Sequence, residues 1–315
     1  MTTPHKNTLC LFACSKDFAF ALYVTLQTFF KNSPRLAAMS DVRVYAYNWP
    51  EQIKKLIASC GPLEIIDYDL PSFVPRTPEI MHFSPALYAR FESFGLLEKY
   101  ERVVCLDSDI LIEKELLPIF DLMKDNIGLV LDEAMPKVRC NFYTEFGNYD
   151  FNYPCYNTGL IVLKKSQLPV LGETIKNWAY QQLVELAQKY FLAEQGITNL
   201  ALQHFNLQVT TLSKLWNLPA SSPHGQLKKA YIIHSTGHRK FWAYYYFHDF
   251  YTYYARWRAQ GGPACAIRTY TKIWKNRWDK KPLPGRVFFE LAPDPFTYPL
   301  KFIVFTIKHL LRVRF

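Results

Sequence analysis

The stretch Arg-Val-Val-Cys-Leu-Asp-Ser-Asp at residues 102–109 decides the fold, because two carboxylates follow a short apolar run. Val103–Leu106 has the length of a buried strand. Side chains alternate along a strand, so Asp107 and Asp109 are expected on one side and Ser108 on the other. Two carboxylates at a strand's carboxyl end can hold a hard divalent cation, and ligands of open α/β sheets bind at that end. Taken alone, the stretch also allows a turn with an aspartate that caps a helix over Ile110–Leu117.

The composition is that of a globular protein whose positive charge lies in its C-terminal part. Half of the 315 residues are apolar and 17% are aromatic, which allows a sizeable core and excludes a disordered chain. Residues 1–225 carry 20 Lys and Arg against 23 Asp and Glu, whereas residues 226–315 carry 17 against 4. The C-terminal part therefore needs an anionic partner or surface. The seven scattered cysteines form no Cys-x-x-Cys pair and favour a reducing compartment.

The sequence predicts neither a signal peptide nor a membrane-spanning segment.

Apolar strands alternate with helical patterns along most of the chain. Strands are predicted at Thr8–Ala13, Val42–Tyr47, Leu63–Asp67, Val103–Asp107, Ile127–Leu131, Thr158–Leu163 and Tyr231–His234. Helices are predicted at Asp17–Phe30, Glu51–Ser59, Pro85–Tyr100 (capped by Ser84), Leu168–Tyr190 and Glu194–His204. The apolar face of the first helix comprises Phe18, Ala21, Leu22, Thr25, Leu26 and Phe29. This alternation predicts an α/β fold with a mostly parallel central sheet and helices on both faces.

The loop after the first predicted strand lacks the glycines of a phosphate-binding loop. Phe12-Ala-Cys-Ser-Lys-Asp-Phe18 contains no glycine, so neither a dinucleotide-binding fingerprint nor a P-loop is present. If a nucleotide binds, its diphosphate charge must be neutralised in another way. A metal ion on Asp107 and Asp109 is the obvious candidate.

Four further segments give the Asp-Ser-Asp motif a family context. They are Tyr88-Ala-Arg90, Cys155-Tyr-Asn-Thr-Gly-Leu-Ile-Val-Leu163, Leu192-Ala-Glu-Gln-Gly-Ile-Thr-Asn199 and Ile233-His-Ser-Thr-Gly-His-Arg-Lys-Phe-Trp242. In this order and spacing, residues 8–245 resemble the family 8 retaining glycosyltransferases, which include bacterial lipopolysaccharide galactosyl- and glucosyltransferases and the glycogenins. The resemblance implies a nucleotide-binding fold of the GT-A type over residues 1–245, a UDP-sugar donor and Mn²⁺, with Mg²⁺ as the alternative.

The resemblance also implies roles for individual residues. The metal ligands would be Asp107, Asp109 and His234, a donor set that suits Mn²⁺. The donor-binding residues would be Ala13, Ser15, Asp17, Phe18, Arg90, Ser108, Asn157, Thr158, Gly237 and Lys240. The residues nearest the chemistry would be Asp132, Glu194 and Gln195. Seen without the resemblance, His234 could be a core histidine, Phe18 the first apolar residue of a core helix and Arg90 a solvated helix residue.

Two departures from the family pattern affect these expectations. This chain has Glu194-Gln195 where the family usually has Asp-Gln, and Lys240-Phe-Trp242 where it often has Lys-Pro-Trp.

The resemblance also implies transfer with retention at the anomeric carbon. Retention allows either a double displacement or a same-face route, in which the departing phosphate oxygen accepts the acceptor's proton. We favour the same-face route, because Gln195 is a poor nucleophile and the route needs only positioning and charge stabilisation.

The C-terminal segment, residues 246–315, is expected to form a basic, aromatic and helical extension. Eleven of the seventeen residues from Phe241 to Trp257 are aromatic, and Pro299–Phe315 has the pattern of an amphipathic helix. Such segments bind anionic membrane surfaces, so we expect attachment through residues 296–315 to the inner face of the cytoplasmic membrane, with a lipid-linked saccharide as acceptor. A helix packed on the domain is the alternative. The acidic N-terminal part, without a nucleic-acid motif, argues against a nucleic-acid partner.

Other classes of function remain open at this point. The chain could be a glycogenin-like enzyme or another protein or polysaccharide glycosyltransferase. It could be a catalytically idle module that binds sugar nucleotides or membranes, although Asp107, Asp109, His234 and Lys240 are all present. It could also be a nucleotide-sugar pyrophosphorylase, but that class normally begins with a glycine-rich basic loop.

Overall fold

The computed structural model describes residues 6–190, 192–236 and 249–264, and these residues form a central seven-stranded sheet beside a small three-stranded sheet. The strands are β1 (Thr8–Ser15), β2 (Ser40–Tyr47), β3 (Glu64–Asp67), β4 (Arg102–Leu106), β5 (Ile110–Ile112), β6 (Ile127–Leu131), β7 (Tyr156–Lys164), β8 (Val209–Leu212), β9 (Leu218–Pro219) and β10 (Ile232–His234). The central sheet has the order β3-β2-β1-β4-β7-β6-β8, and the small sheet has the order β5-β10-β9.

Helices connect most of these strands. They are α1 (Ala19–Asn32), α2 (Pro34–Met39), α3 (Glu51–Ala58), α4 (Glu92–Gly95), α5 (Ile119–Leu122), α6 (Gly172–Glu185), α7 (Ala193–His204), α8 (His224–Leu227) and α9 (Asp249–Ala259). Short 3₁₀ segments lie at Lys16–Phe18, Ile80–His82, Pro85–Phe91, Leu96–Glu98, Val138–Asn141, Lys165–Gln167 and Lys214–Trp216.

The central sheet is mostly parallel and is covered on both faces. β3, β2, β1 and β4 run parallel, β6 and β8 are parallel to each other, and β7 runs antiparallel to both β4 and β6. In β1, Cys10 and Phe12 belong to the apolar cluster that includes α1 and α3. The alternating residues Leu9 and Leu11 belong to a second cluster with parts of α4, α6 and α7. The predicted α/β architecture with helices on both faces is confirmed.

The small sheet replaces the helix that the motif stretch alone allowed over Ile110–Leu117. Ile110–Ile112 is strand β5, which pairs antiparallel with β10, so Ile110 lies opposite His234. β10 in turn pairs parallel with β9. All three residues of β5 are buried and apolar. A strand that is covered on both faces can bury three consecutive apolar residues, whereas a helix at the surface would expose one of them.

Two predicted helices differ from the structure. Pro85–Tyr100 begins as predicted, with the Ser84 hydroxyl accepting from the backbone of Ala86, but it is divided into 3₁₀ and α segments. Its consecutive residues Tyr88–Phe91 are all buried, so contacts on every side override a one-faced 3.6-residue pattern. Leu168–Tyr190 shortens to α6. Its first residue, Gly172, lies against the backbone of Phe94, and Tyr190 forms a β-bridge with Phe142 beyond its end.

The first predicted helix also differs at its start. Phe18 ends a 3₁₀ turn and is 38% exposed, so it is not the first apolar residue of a core helix. Thr25 faces the core as predicted and is fully buried.

Part of the C-terminal segment packs on the central sheet domain. Tyr253, Tyr254 and Trp257 of α9 are buried in the cluster that contains α1. Trp257 contacts the rings of Phe20 and Tyr23, with centroids 5.9 and 5.3 Å away. The division of the chain at residues 245 and 246 stays a prediction, and the amphipathic pattern over 299–315 lies outside the described residues. None of the helices in the described part of the chain has the length and hydropathy needed to cross a bilayer.

Candidate active site

The candidate site lies at the carboxyl ends of β1 and β4, where the strand order reverses direction. β1 pairs with β2 on one side and with β4 on the other, and Phe12 lies opposite Leu106. The loop after β1 and the Asp107–Asp109 turn therefore share one edge of the sheet. In open α/β sheets this point forms the crevice in which ligands bind.

Asp107, Asp109 and His234 meet at this edge although they come from distant parts of the chain. Asp107 follows β4, Asp109 precedes β5, and the pairing of β10 with β5 brings in His234. His234 Nε2 lies 3.3 Å from Asp107 Oδ2 and 3.4 Å from Asp109 Oδ1. One potential ligand atom from each residue lies within 4.8 Å of the others. The backbone N–H of Ser235 donates to the carbonyl of Asp109 at 3.1 Å, which ties the two segments together.

The buried charges of this cluster are those of a candidate metal centre. Burial alone would raise the pKa of Asp107, but Arg90 and His234 outweigh it and hold this pKa well below its usual range. Burial would lower the pKa of His234, but Asp107 and Asp109 raise it to about 9. His234 Nδ1 is buried without a hydrogen-bond partner. Two carboxylates and an imidazole at this spacing fit a divalent cation such as Mn²⁺, whose charge would replace the proton of His234.

Arg90 links the metal-binding candidates to α7. Its Nη2 lies 2.7 Å from Asp107 Oδ2, and its Nη1 lies 2.6 Å from Glu194 Oε2. Thr158 in β7 donates to the same Glu194 oxygen at 3.0 Å. Burial raises the pKa of Glu194 to about 7 in spite of Arg90. Arg90 is 7% exposed, so it is not the solvated helix residue that the sequence alone allowed.

Asp132, Asn157 and Gln195 form a second polar cluster. Asp132 Oδ2 accepts from the side-chain amides of Asn157 and Gln195, each at 3.2 Å. Asn157 also donates to Gln195 Oε1 at 3.3 Å. The other oxygen of Asp132 accepts from the backbone of Ala134 and Met135. The carboxylate is therefore fixed, and it fixes the orientation of the two amides.

The antiparallel strand β7 brings its amino end to the site. Asn157 and Thr158 thus lie near the residues that follow β4 and β6. Gly159 comes next, and a Cβ at this position would overlap the imidazole of His234 and approach Asn157 Oδ1 at 3.0 Å. The close approach of His234 to β7 therefore requires glycine here.

The remaining predicted residues fall into two groups. Ala13 and Ser15 are half-buried at the end of β1, Asp17 and Phe18 are exposed in the turn that follows, and Ser108 is buried. The pairing of β1 with β4 makes the β1 loop and the Asp-Ser-Asp turn adjacent. Burial raises the pKa of neighbouring Cys14, a hydrogen bond with Ser108 opposes this, and Asp107 and Asp109 raise the pKa further. Gly237 and Lys240 lie outside the described residues.

Several buried amides of the site were not predicted to take part in it. Gln195 Nε2 lies 3.3 Å from Asn141 Oδ1, and Asn217 donates to Asn157 Oδ1 at 2.7 Å. Asn199 bonds to both the N–H and the carbonyl of Tyr156, which ties α7 to the start of β7. Asn199 lies four residues after Gln195 and therefore on the same face of the helix. This spacing was a signal in the sequence from which Asn199 could have been predicted to belong to the site. Asn141 ends a short 3₁₀ segment and Asn217 follows another, and segments this short have no periodicity that would reveal their approach to the site.

Comparisons with known proteins agree with this geometry. Residues 9–245 match the family model described as glycosyl transferase family 8. The probable galacturonosyltransferase 7 of Arabidopsis thaliana is 26% identical over 153 residues, which are 47% of this chain and 24% of that protein. The matched region thus spans about a quarter of the curated relative's length.

Two solved structures share the fold. A bifunctional glycosyltransferase, WbbM, superposes with a TM-score of 0.58 at 18% identity, over 82% of this chain and 52% of that chain. The galactosyltransferase LgtC, solved with donor and acceptor sugar analogs, superposes with a TM-score of 0.55 at 17% identity, over 80% of this chain and 99% of that chain. These similarities show a GT-A fold, and the family match over residues 9–245 shows that the chain belongs to glycosyl transferase family 8.

Proposed function

We propose that this protein is a retaining hexosyltransferase, which moves galactose or glucose from a UDP-sugar to a saccharide acceptor with the help of Mn²⁺. The observation that carries the proposal is the cluster of Asp107, Asp109 and His234, whose ligand atoms lie within 4.8 Å at the sheet edge where nucleotides bind. A divalent ion held there would supply the positive charge that stabilises the departing UDP. Mg²⁺ is the alternative ion.

The residues around this cluster suit the recognition of a UDP-sugar. Phe18, exposed at the end of the β1 loop, offers a ring on which uracil could stack. Ala13, Ser15 and Asp17 precede it in the same segment and are proposed to contact the nucleotide as well. Thr158 accepts a hydrogen bond from Arg90 at 3.2 Å, and Ser108 follows Asp107, which Arg90 also contacts. Lys240 and Gly237, which follow His234 in the sequence, would approach the diphosphate.

The sugar would lie between Arg90 and the cluster of Asp132, Asn157 and Gln195. These residues present a guanidinium, a carboxylate and two amides, the groups that bind hydroxyls in fixed directions. Glu194 is held by Arg90 and Thr158 and lies nearly fully buried, which makes it a poor nucleophile. Gln195 carries no charge, and its amide is engaged by Asp132 and Asn157. Both observations favour the same-face route, in which these side chains position the donor and stabilise charge.

The acceptor is proposed to be lipopolysaccharide or lipo-oligosaccharide. The support is the sequence of residues 296–315, whose basic and apolar residues are typical of segments that lie on anionic membranes. An enzyme of this kind would work at the inner face of the cytoplasmic membrane. A protein or polysaccharide acceptor, as for a glycogenin-like enzyme, would need no membrane contact.

The deciding experiment follows UDP release from a panel of UDP-sugars with Mn²⁺, with and without a lipo-oligosaccharide. UDP-galactose and UDP-glucose are the expected donors, and UDP-galacturonate belongs in the panel because of the galacturonosyltransferase relative. The anomeric configuration of the product, read by NMR, tests retention. An idle binding module would bind UDP-sugar but release no UDP, whereas release stimulated only by a protein or polysaccharide would overturn the lipid-linked acceptor.

A further inference from the structure

We infer that Thr25 of α1 is a positioning residue for the Asp107–Asp109 turn and sets the separation of its metal ligands. The inference rests on the proposed metal function of Asp107, Asp109 and His234. Thr25 lies in the middle of a helix, is fully buried and carries no charge. Its position in the apolar face of α1 suggests a core residue, but its hydroxyl contacts the backbone of the turn.

The contacts of this hydroxyl bracket Asp109. Thr25 Oγ1 lies 2.9 Å from the carbonyl oxygen of Ser108 and 2.7 Å from that of Ile110. It also accepts from the backbone N–H of Ile110 at 3.3 Å. Ser108 and Ile110 are the two residues on either side of Asp109. The side-chain oxygen of Thr25 therefore contacts the backbone of both neighbours of Asp109.

The hydroxyl of Thr25 also influences the position of His234, because Ile110 and His234 are paired in the small sheet. Ile110 lies opposite His234 in the antiparallel pair of β5 and β10. The backbone of Asp107 is held by a separate contact, because its N–H donates to the carbonyl of Gly159 in β7 at 3.0 Å. Removal of the Thr25 oxygen would leave buried backbone groups unpaired, and the turn would shift toward other partners. Such a shift would change the distances among all three ligands.

Thr28 provides a matched comparison one turn further along α1. Its hydroxyl accepts from the N–H of Ile112 at 3.2 Å and is buried, as that of Thr25 is. Asn32 continues the series by donating to the carbonyl of Ile112 at 2.7 Å. Thr28 and Asn32 thus bond to the far end of β5, whereas Thr25 bonds to the end that carries Asp109. A merely structural role of these hydroxyls would make Thr25 and Thr28 equivalent.

The test compares Thr25→Val, Thr25→Ser and Thr28→Val in the full chain. Valine keeps the shape of threonine and removes the hydroxyl, and serine keeps the hydroxyl. Mn²⁺ is titrated at a fixed concentration of UDP and free Mn²⁺ is read from its EPR signal, while thermal melting reports stability. We expect Thr25→Val to weaken Mn²⁺ binding about 10- to 100-fold, the range found when groups that orient metal ligands are lost. Thr25→Ser should restore most of the affinity, and Thr28→Val should bind Mn²⁺ as the wild type does while melting at a lower temperature.

Asp109→Asn separates failure of this inference from failure of the metal assignment. Wild-type Mn²⁺ affinity in Asp109→Asn would overturn the metal site itself. A loss of affinity in Asp109→Asn, together with equal affinities in Thr25→Val and Thr28→Val, would overturn the role of Thr25 alone. If Thr25→Val does not fold, Thr25→Ala replaces it: weakened Mn²⁺ binding in a folded Thr25→Ala protein supports the role of the hydroxyl, and wild-type affinity contradicts it.

Discussion

Asp109 has the most direct predicted effect on the reaction among the site residues. Substitution by asparagine keeps its shape and removes the charge that would hold the metal beside His234 Nε2. We expect Asp109→Asn to lower kcat by about 10²- to 10³-fold, as loss of one stabiliser of developing charge typically does. The measurement is UDP release at saturating Mn²⁺ and UDP-sugar. Asp121→Asn, an exposed aspartate of α5, is the control and should change little. Near-normal turnover in Asp109→Asn would contradict the metal assignment.

Gln195 is predicted to affect turnover more than nucleotide affinity. Its amide contacts Asn141 and also Asp132 and Asn157, which are proposed to surround the sugar. Gln195→Ala should therefore lower kcat and leave the affinity for UDP, measured by calorimetry, nearly unchanged. Gln203→Ala, in the last turn of the same helix, should change neither quantity. If the affinity for UDP collapses while turnover persists, Gln195 contacts the nucleotide and the proposed position of the sugar is wrong.

The proton of His234 predicts a dependence of metal binding on pH. In the metal-free protein, Asp107 and Asp109 raise the pKa of His234 to about 9, so the ring is protonated at neutral pH. A metal ion at Nε2 must displace this proton. The apparent affinity for Mn²⁺ should therefore rise with pH, by up to ~10-fold per unit below the folded-state pKa, and level off above it. Titrations at pH 6.5, 7.5 and 8.5 measure the slope, and an affinity independent of pH would exclude His234 as a ligand.

At the scale of elements, strand direction decides which residues the sequence could place in the site. Asp107 and Asp132 follow strands that run in the same direction, so their common location at one edge was predictable. Asn157 and Thr158 begin β7 instead, and they reach the same edge because β7 runs antiparallel to β4. A pattern of apolar runs carries no information on strand direction, so here the family motif was needed. The hydroxyl of Thr25 could not be found either, since threonine is common in buried helix faces.

The contact of α9 with α1 predicts that α9 contributes to the stability of the whole domain. Trp257 is fully buried between Phe20 and Tyr23, and its indole N–H donates to the carbonyl of Pro263 at 2.8 Å. Trp257→Ala should lower the free energy of unfolding by about 3–5 kcal/mol. Urea denaturation measures the change, and Thr252→Ala, exposed on the same helix, is the control. An equal stability of both variants would show that α9 does not dock on α1 in solution.

At the scale of the whole molecule, the alternation of strands and helices was enough to predict the architecture, because each buried strand and each one-faced helix leaves a local pattern. β1, β2, β3 and β6 lie within two residues of their predicted bounds. The small sheet was not predicted as a unit, because β5 and β9 have three and two residues. Strands this short are defined by their partners and not by periodicity.

The tail predicts a separation of catalysis from membrane binding. Deletion of residues 296–315 should leave UDP-sugar hydrolysis and its Mn²⁺ dependence intact, since every proposed site residue lies before residue 245. The deletion should release the protein from anionic vesicles, because four basic side chains contribute ~1 kcal/mol each near such a surface. Sedimentation with anionic and with zwitterionic vesicles measures this, and binding of the full chain should weaken as salt rises. A truncated protein that sediments like the full chain, or fails to fold, would instead indicate a helix packed on the domain.

Gly159 has a consequence for how the functional positions of this protein can be mapped. Alanine scanning finds important residues by removing atoms, and at this position alanine adds one, directly against the ring of His234. A loss of metal binding in Gly159→Ala would therefore report the volume that the imidazole occupies and no group contributed by residue 159. In a library of variants, position 159 should tolerate no side chain at all. A deleterious score there measures crowding of His234, which is distant in the sequence but adjacent in space.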